Sequence, residues 1–335
     1  MAQMQFSHSS NAFNIEEFNE FVDQHLNVDL ISNDAKQTQQ QIQRSQKYIQ
    51  DLDPDFSLLD PSKQRTIHQS AILQSVYGEY LLQQHCPLLA KSYNAQAEKL
   101  YLKLLGIHPD DRYLRYNLGI HYARNSVYFR KNQDSTPRLA LLNSAERIQK
   151  KLFEQYPKND NYQTQYYAVL SDKLDLLLER DSQPQEQLQI IHVLKTPLFQ
   201  MLNHSNQRYD SGNFLILVQQ YYRYLYKQNP KNAEDWILSN KQQIELQIKN
   251  NQHHDQREHE FLAEFYAMTN QTKKALSHLK HLDPEDDSAP TPSDLEKSIP
   301  LANIKLNPKF QTWLKHYTER YQTYLKLHPE QCKLK

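Results

Sequence analysis

The amino-acid sequence predicts an all-α protein of about a dozen helices stacked in pairs as an α-solenoid. Scarce glycine, a recurring proline phrase and a repeated apolar spacing predict it. Four glycines occur in 335 residues, Gly78, Gly106, Gly119 and Gly212. Hairpins and bulges depend on the positive φ that glycine adopts freely, so this scarcity argues against sheets. No two glycines are closer than thirteen residues, which excludes a Walker loop and a dinucleotide-binding fingerprint, each needing glycines within a handful of residues.

The proline phrase occurs five times, as "GIHPDD", "EQYPKND", "KQNPKNAED", "HLDPEDD" and "KLHPEQ". Proline cannot continue a helix, whereas a neighbouring Asp or Asn caps the next one through its side-chain oxygen. Each phrase is therefore expected to stop one helix and, except at the chain end, to start another. Stepping back five, eight and twelve residues from Pro109 gives Leu104, Tyr101 and Ala97; from Pro157, Leu152, Gln149 and Ala145; from Pro230, Leu225, Tyr222 and Val218. Steps of three or four place these side chains on one helix face, with a small first residue that admits a close neighbour.

In chain order, residues 1–13 read as a disordered N-terminus and 14–61 as an N-terminal helical segment. In "NIEEFNEFVDQHL" the residues Ile15, Phe18, Phe21 and Val22 share a face behind Asn14 as a cap; this acidic helix is expected to cap the repeats or dock a partner. Residues 33–51 are glutamine-rich with few apolar positions. Residues 62–283 carry the repeats. Residues 284–300 read as a proline-rich acidic linker and 301–335 as a C-terminal capping helix, with Trp313, Leu314, Tyr317 and Tyr321 covering the apolar face that no further repeat would cover.

Within the repeats, Leu118, Gly119 and Tyr122 form Leu-Gly-x-x-Tyr, where Gly119 is expected to serve close packing. In "FYAMTNQTKKALSHL" and its flanks, Leu262, Ala263 and Tyr266 precede a turn at Asn270, and Ala275, Leu279 and Leu282 follow it. On these residues the chain resembles the tetratricopeptide (TPR) repeat family over residues 62–283. The spacing departs from the family: Tyr122 and Ala145 are 23 residues apart, longer than the consensus, and 232–251 has no assigned partner helix. The phrase "LNPKFQTWL", with Pro308, Lys309, Phe310 and Leu314, resembles the segment closing some bacterial TPR proteins.

The side chains give formal charges of 39 on each side, net zero, so no overall field draws the chain to nucleic acid or an anionic membrane. The N-terminus lacks the basic start and apolar run of a secretory signal, and the longest strongly apolar run, Phe214 to Val218, is too short to cross a bilayer. The two cysteines, Cys86 and Cys332, lie at opposite ends of the sequence, so unpaired thiols and a reducing, cytoplasmic setting are expected.

No catalytic motif surrounds any serine or cysteine. The cluster His253, His254, Asp255, Glu258, His259 lacks the three- or four-residue histidine spacing of a helical metal site, and no metal or other cofactor is expected. "RYLRYNLGIHYARNSVYFRK" mixes Arg with Tyr as single-stranded RNA binders do. The 22 tyrosines cannot all face one core, and some are expected on the surface as partner anchors. The chain thus reads as a non-enzymatic scaffold that binds a peptide or partner domain; an RNA-binding repeat protein or a helical enzyme without a recognisable motif are the alternatives. In TPR-like folds the first helix of each pair lines the concave side, which makes Asn117, His121, Arg124, Gln165 and Tyr166 the candidate partner-binding residues.

Overall fold

The structure is a computed structural model. It describes residues 14–24, 35–52, 54–83, 86–127, 129, 135–203, 211–249, 256–285 and 289–327. Among the described residues every regular element is helical. In chain order the helices are α1 (Ile15–Gln24), α2 (Ala35–Gln50), α3 (Pro61–Gln83), α4 (Pro87–Ile107), α5 (Arg112–Val127), α6 (Thr136–Gln155), α7 (Asp160–Arg180), α8 (Pro184–Asn203), α9 (Ser211–Gln228), α10 (Pro230–Lys249), α11 (Gln256–Met268), α12 (Thr272–Leu279), α13 (Pro292–Lys297) and α14 (Pro308–Leu327).

The caps follow the proline phrases closely. Asp111 Oδ1 accepts from the amides of Tyr113 and Leu114, and Asn159 Oδ1 from those of Asn161 and Tyr162. At Pro230 the order is reversed: Asn229 before the proline caps the amide of Lys231, and the proline takes the first turn, where its missing N–H costs nothing. Asn307 and Pro308 repeat that arrangement. The phrase at Pro284 starts no helix. Asp283 Oδ1 accepts from the amide of Glu285 in a turn, and the next helix waits for Thr291, which forms a capping box with Asp294. The segment read as a linker therefore contains α13, whose Leu295 is buried. Residues 1–13 lie outside the described residues.

The chain divides at Leu152/Phe153 into two compact units. In the first, α1 buries Phe18, Phe21 and Val22 against Leu73, Val76 and Tyr77 of α3, with Ile42 of α2 in the same cluster. Asn14 caps it. The acidic helix thus covers α3. A second cluster joins Ile67 and Ala71 of α3, Ala97, Tyr101 and Leu104 of α4, and Leu114 and Leu118 of α5. Helices α3 and α4 run antiparallel: Tyr77 meets Tyr93 while His68 meets Tyr101. In the second unit, α11 and α12 meet along Leu262, Ala263, Tyr266, Ala275 and Leu279, all buried, around Asn270 in the left-handed region at φ 58°. Phe310, Leu314 and Tyr317 of α14 are buried, and the Tyr317 hydroxyl donates to Pro290 O.

One expectation is corrected. Cys86 is disulfide-bonded rather than a free thiol; the other cysteine, Cys332, lies outside the described residues. The expectation rested on sequence distance, which does not fix spatial distance. Disulfides persist in oxidising settings, so the cysteines no longer argue for a reducing one.

Candidate functional site

The candidate site is built where α3 and α5 lie side by side in parallel. Asn117 Nδ2 donates to His68 Nε2 at 2.9 Å. One turn on along α5 and two along α3, His121 Nδ1 and Ser75 Oγ are 2.9 Å apart. A further turn on, Arg124 Nε and Glu79 Oε2 form an ion pair at 2.9 Å. Three positions of "HQSAILQSVYGE" therefore match three of "NLGIHYAR" rung by rung, each pair a donor facing an acceptor. An apolar seam would slide along a neighbouring helix at small cost; such rungs fix one register.

Burial sets the electrostatics. It lowers His68 to about 4 against the opposing pull of Asp111, and lowers His121 to about 4 with Arg124 adding to the effect. Both rings are neutral at pH 7, which suits His68 Nε2 as the acceptor from Asn117. Tyr101 is fully buried, with centroids 5.9 Å from His68 and 5.8 Å from His121. Burial pushes the Glu79 carboxyl up while Arg124 draws it down. The Glu79–Arg124 rung is partly open, each side chain about a third exposed at 32% and 31%. Beside it Asn94 Nδ2 donates to Asn125 Oδ1 at 3.2 Å, and the Tyr122 hydroxyl donates to Glu98 at 2.9 Å.

The second unit repeats the device. Between α7 and α9, Gln220 pairs with Ser171, Arg223 with Asp175 at 3.1 Å, and Lys227 with Asp181 at 2.9 Å. Between α9 and α11, Gln219 donates to the buried Glu264. Between α8 and α10, Gln247 donates to Met201 O at 2.8 Å. All these pairs, in both units, join residues 45 to 49 apart in sequence.

The structure thus brings Asn117, His121 and Arg124 together on α5 and places Gln165 and Tyr166 on α7 of the second unit. His121, 1% exposed, and Tyr166, 6% exposed, belong to the core rather than to an open face; Tyr166 stacks on Phe153 at 5.5 Å. Helical register alone assigned them outward because it could not weigh the facing helix. Gln165 is half-buried. Sequence reasoning missed His68, Ser75 and Glu79. Their signal was a polar stripe along an otherwise apolar α3.

A polar cleft of about 410 Å³ between α1 and α2, with Glu17, Lys36, Gln40 and Arg44 in its wall, carries both charge signs and no aromatic anchor. Among the described residues no group of three His, Cys, Asp or Glu is arranged to hold a metal ion, and no helix is long and apolar enough to cross a membrane. Comparison with protein-family models, with curated proteins and with solved structures finds no significant match to this chain.

Proposed function

We propose that the chain is a TPR-like α-solenoid scaffold, non-enzymatic, that binds a peptide or partner domain on the face carrying the exposed ends of its first-helix ladder. The observation behind this reading is the recurrence of parallel rungs between alternate helices at a separation of 45 to 49 residues. A recurring separation is what one supersecondary unit copied along a chain produces, and stacked copies give extended surfaces suited to binding. Asn117 and Arg124 keep part of their surface exposed at the α3–α5 ladder, where an arginine beside amides suits a carboxylate or a peptide backbone.

Replacing Arg124 by Ala alone would leave Glu79 half-buried and unpaired, so the informative variant is the charge swap Glu79→Arg with Arg124→Glu. It keeps an ion pair while reversing the charges presented. The swapped protein should keep its helical content and lose the partner that the wild-type chain captures from its native source, identified by mass spectrometry. Capture at wild-type strength by the folded, swapped protein would place binding elsewhere.

A further inference from the structure

Three histidines meet on the α11–α12 hairpin. His259 belongs to α11, His278 to the last turn of α12, and His281 follows it. His259 Nδ1 and His278 Nδ1 are 3.0 Å apart, and the ring centroids 5.3 Å. That centroid distance exceeds the N···N distance by about the width of one ring, so the two nitrogens point at each other. One must donate and the other accept. Ligation of a metal would need both lone pairs turned toward a third point instead. The His281 ring lies parallel to His259 at 4.5 Å and 14°. Tyr266 stacks on His278 at 5.4 Å and 18°, and Lys274 Nζ sits 4.8 Å over Tyr266.

The His259–His278 pair has room for one added proton and not for two. A single proton shared between His259 and His278 strengthens their hydrogen bond. A second would set two N–H groups head to head at 3.0 Å, beside the Tyr266 ring that carries Lys274. We infer that the His259–His278 pair, stacked against His281, is a pH-sensitive latch, closed with at most one added proton and opened when acid forces a second, that governs how firmly α11 holds the C-terminal segment Pro292–Leu327.

The coupling to that segment is direct. Buried Glu264 of α11 accepts from Ser298 Oγ at 2.5 Å, and Asn303 Nδ2 donates to Ala267 O at 3.4 Å and to Asn270 Oδ1 at 3.3 Å. Among the described residues, the following charged groups face the hairpin. From α10, Glu245 accepts from Gln271 and lies 3.9 Å from Lys274. From α14, Arg320 binds Asp283 and Glu285, and Tyr317 faces Glu260 and Asp283. From α9, Arg223 lies near Glu264. Glu258 and Glu260 flank His259 in sequence. Glu264 works with the opposite sign: burial raises its carboxyl, so its protonation favours the closed form. Global stability therefore mixes the two effects, and local opening separates them.

The test is amide hydrogen exchange read by mass spectrometry across about pH 7 to about pH 5, corrected for intrinsic exchange. Each proton that the closed stack excludes raises the local opening constant about tenfold per pH unit below the ordinary histidine value of about 6.5. A rise of that size is expected in Phe261–Leu282 and in α13–α14, with α7 unchanged. In the His259→Gln, His278→Gln double variant, whose amides can still pair but cannot titrate, protection near pH 7 should persist and the acid response should flatten. A wild-type response that is absent, that is equal in α7, or that survives in the double variant overturns the latch. Should the double variant lose protection already near pH 7, NMR titration of the wild-type His259 and His278 imidazoles decides: one of the two must stay neutral below about pH 5.5, and two independent titrations near 6.5 overturn the proposal.

Discussion

Three helical glycines have different surroundings, and alanine at each should move stability in a direction fixed by what the new methyl meets. In a helix interior Gly→Ala gains about 1 kcal/mol, because alanine loses less backbone entropy on folding. At Gly106 a Cβ meets nothing within 4 Å, so Gly106→Ala should stabilise, by less than about 1 kcal/mol because the site lies near the end of α4. At Gly119 a Cβ would stand 2.4 Å from Gln149 Nε2 and 3.0 Å from its Cδ. Gln149 is fully buried and donates to Tyr116 O at 3.2 Å, so it can retreat only by breaking that bond. Overpacking costs about 1–3 kcal/mol and an unmet buried amide about 1–3 more. After the propensity gain, Gly119→Ala should destabilise by about 1–5 kcal/mol. Gly78→Ala should behave alike, since its Cβ would lie 2.2 Å from Oδ1 of buried Asn94, which donates to Asn125. Urea denaturation followed by circular dichroism reads all three. Adding Gln149→Ala to Gly119→Ala should recover at least about 1 kcal/mol relative to the sum of the single changes. If Gly119→Ala stabilises as Gly106→Ala does, the amide does not lie over the glycine and the α5–α6 packing described above is wrong.

How far the sequence carried the fold can be followed residue by residue. Asp111, Asn159 and Asn14 cap because a short side-chain oxygen just ahead of an apolar helical pattern has one good use, and that use is local. Gly119 was legible as a close-packing glycine for the same reason, although Gln149 as the group packed against it was not. The turn at Asn270 and the seam of Tyr266, Ala275 and Leu279 came from spacing within about fifteen residues. Pro284 misled, because a proline ends a helix without obliging the next one to begin; that depends on Thr291 and Asp294 seven and ten residues later.

The candidate site was less legible because its content is non-local. The register of α5 distinguishes faces and cannot tell which face meets α3. His121 and Tyr166 are polar or amphipathic residues that the core nonetheless absorbs, His121 because Ser75 meets Nδ1, and Tyr166 because Phe153 meets its ring. The rungs join residues 45 to 49 apart, a separation at which a single sequence offers no pairing signal except composition. Glu79 and Arg124 become partners only when α3 and α5 lie parallel, and a polar rung then adds direction to a contact that apolar burial leaves free to slide.

Leu279→Ala, removing a fully buried side chain from the α11–α12 seam, should cost about 2–5 kcal/mol in denaturant, whereas exposed Lys273→Ala should cost under about 0.5 kcal/mol; equal losses would unseat the seam. Lys173 is buried against Glu186, so Glu186→Gln should destabilise the second unit, and Lys173→Met combined with Glu186→Leu should do so by less than Glu186→Gln alone; the same denaturation assay ranks them. Titration of the first unit gives the last test. His68 and His121 are held at about 4 by burial against about 6.5 when unfolded, so between those values the unfolded chain binds more protons. Stability is therefore complete above about pH 6.5 and falls as the pH drops toward 4, by up to about 1.4 kcal/mol per pH unit for each ring. Glu79, raised by burial, acts with the opposite sign, so the measurement is the difference between the wild type and His121→Gln, whose amide still reaches Ser75 but cannot titrate. The variant should lose less stability than the wild type between pH 6.5 and 5, and matching slopes would mean that His121 is not held neutral in the core.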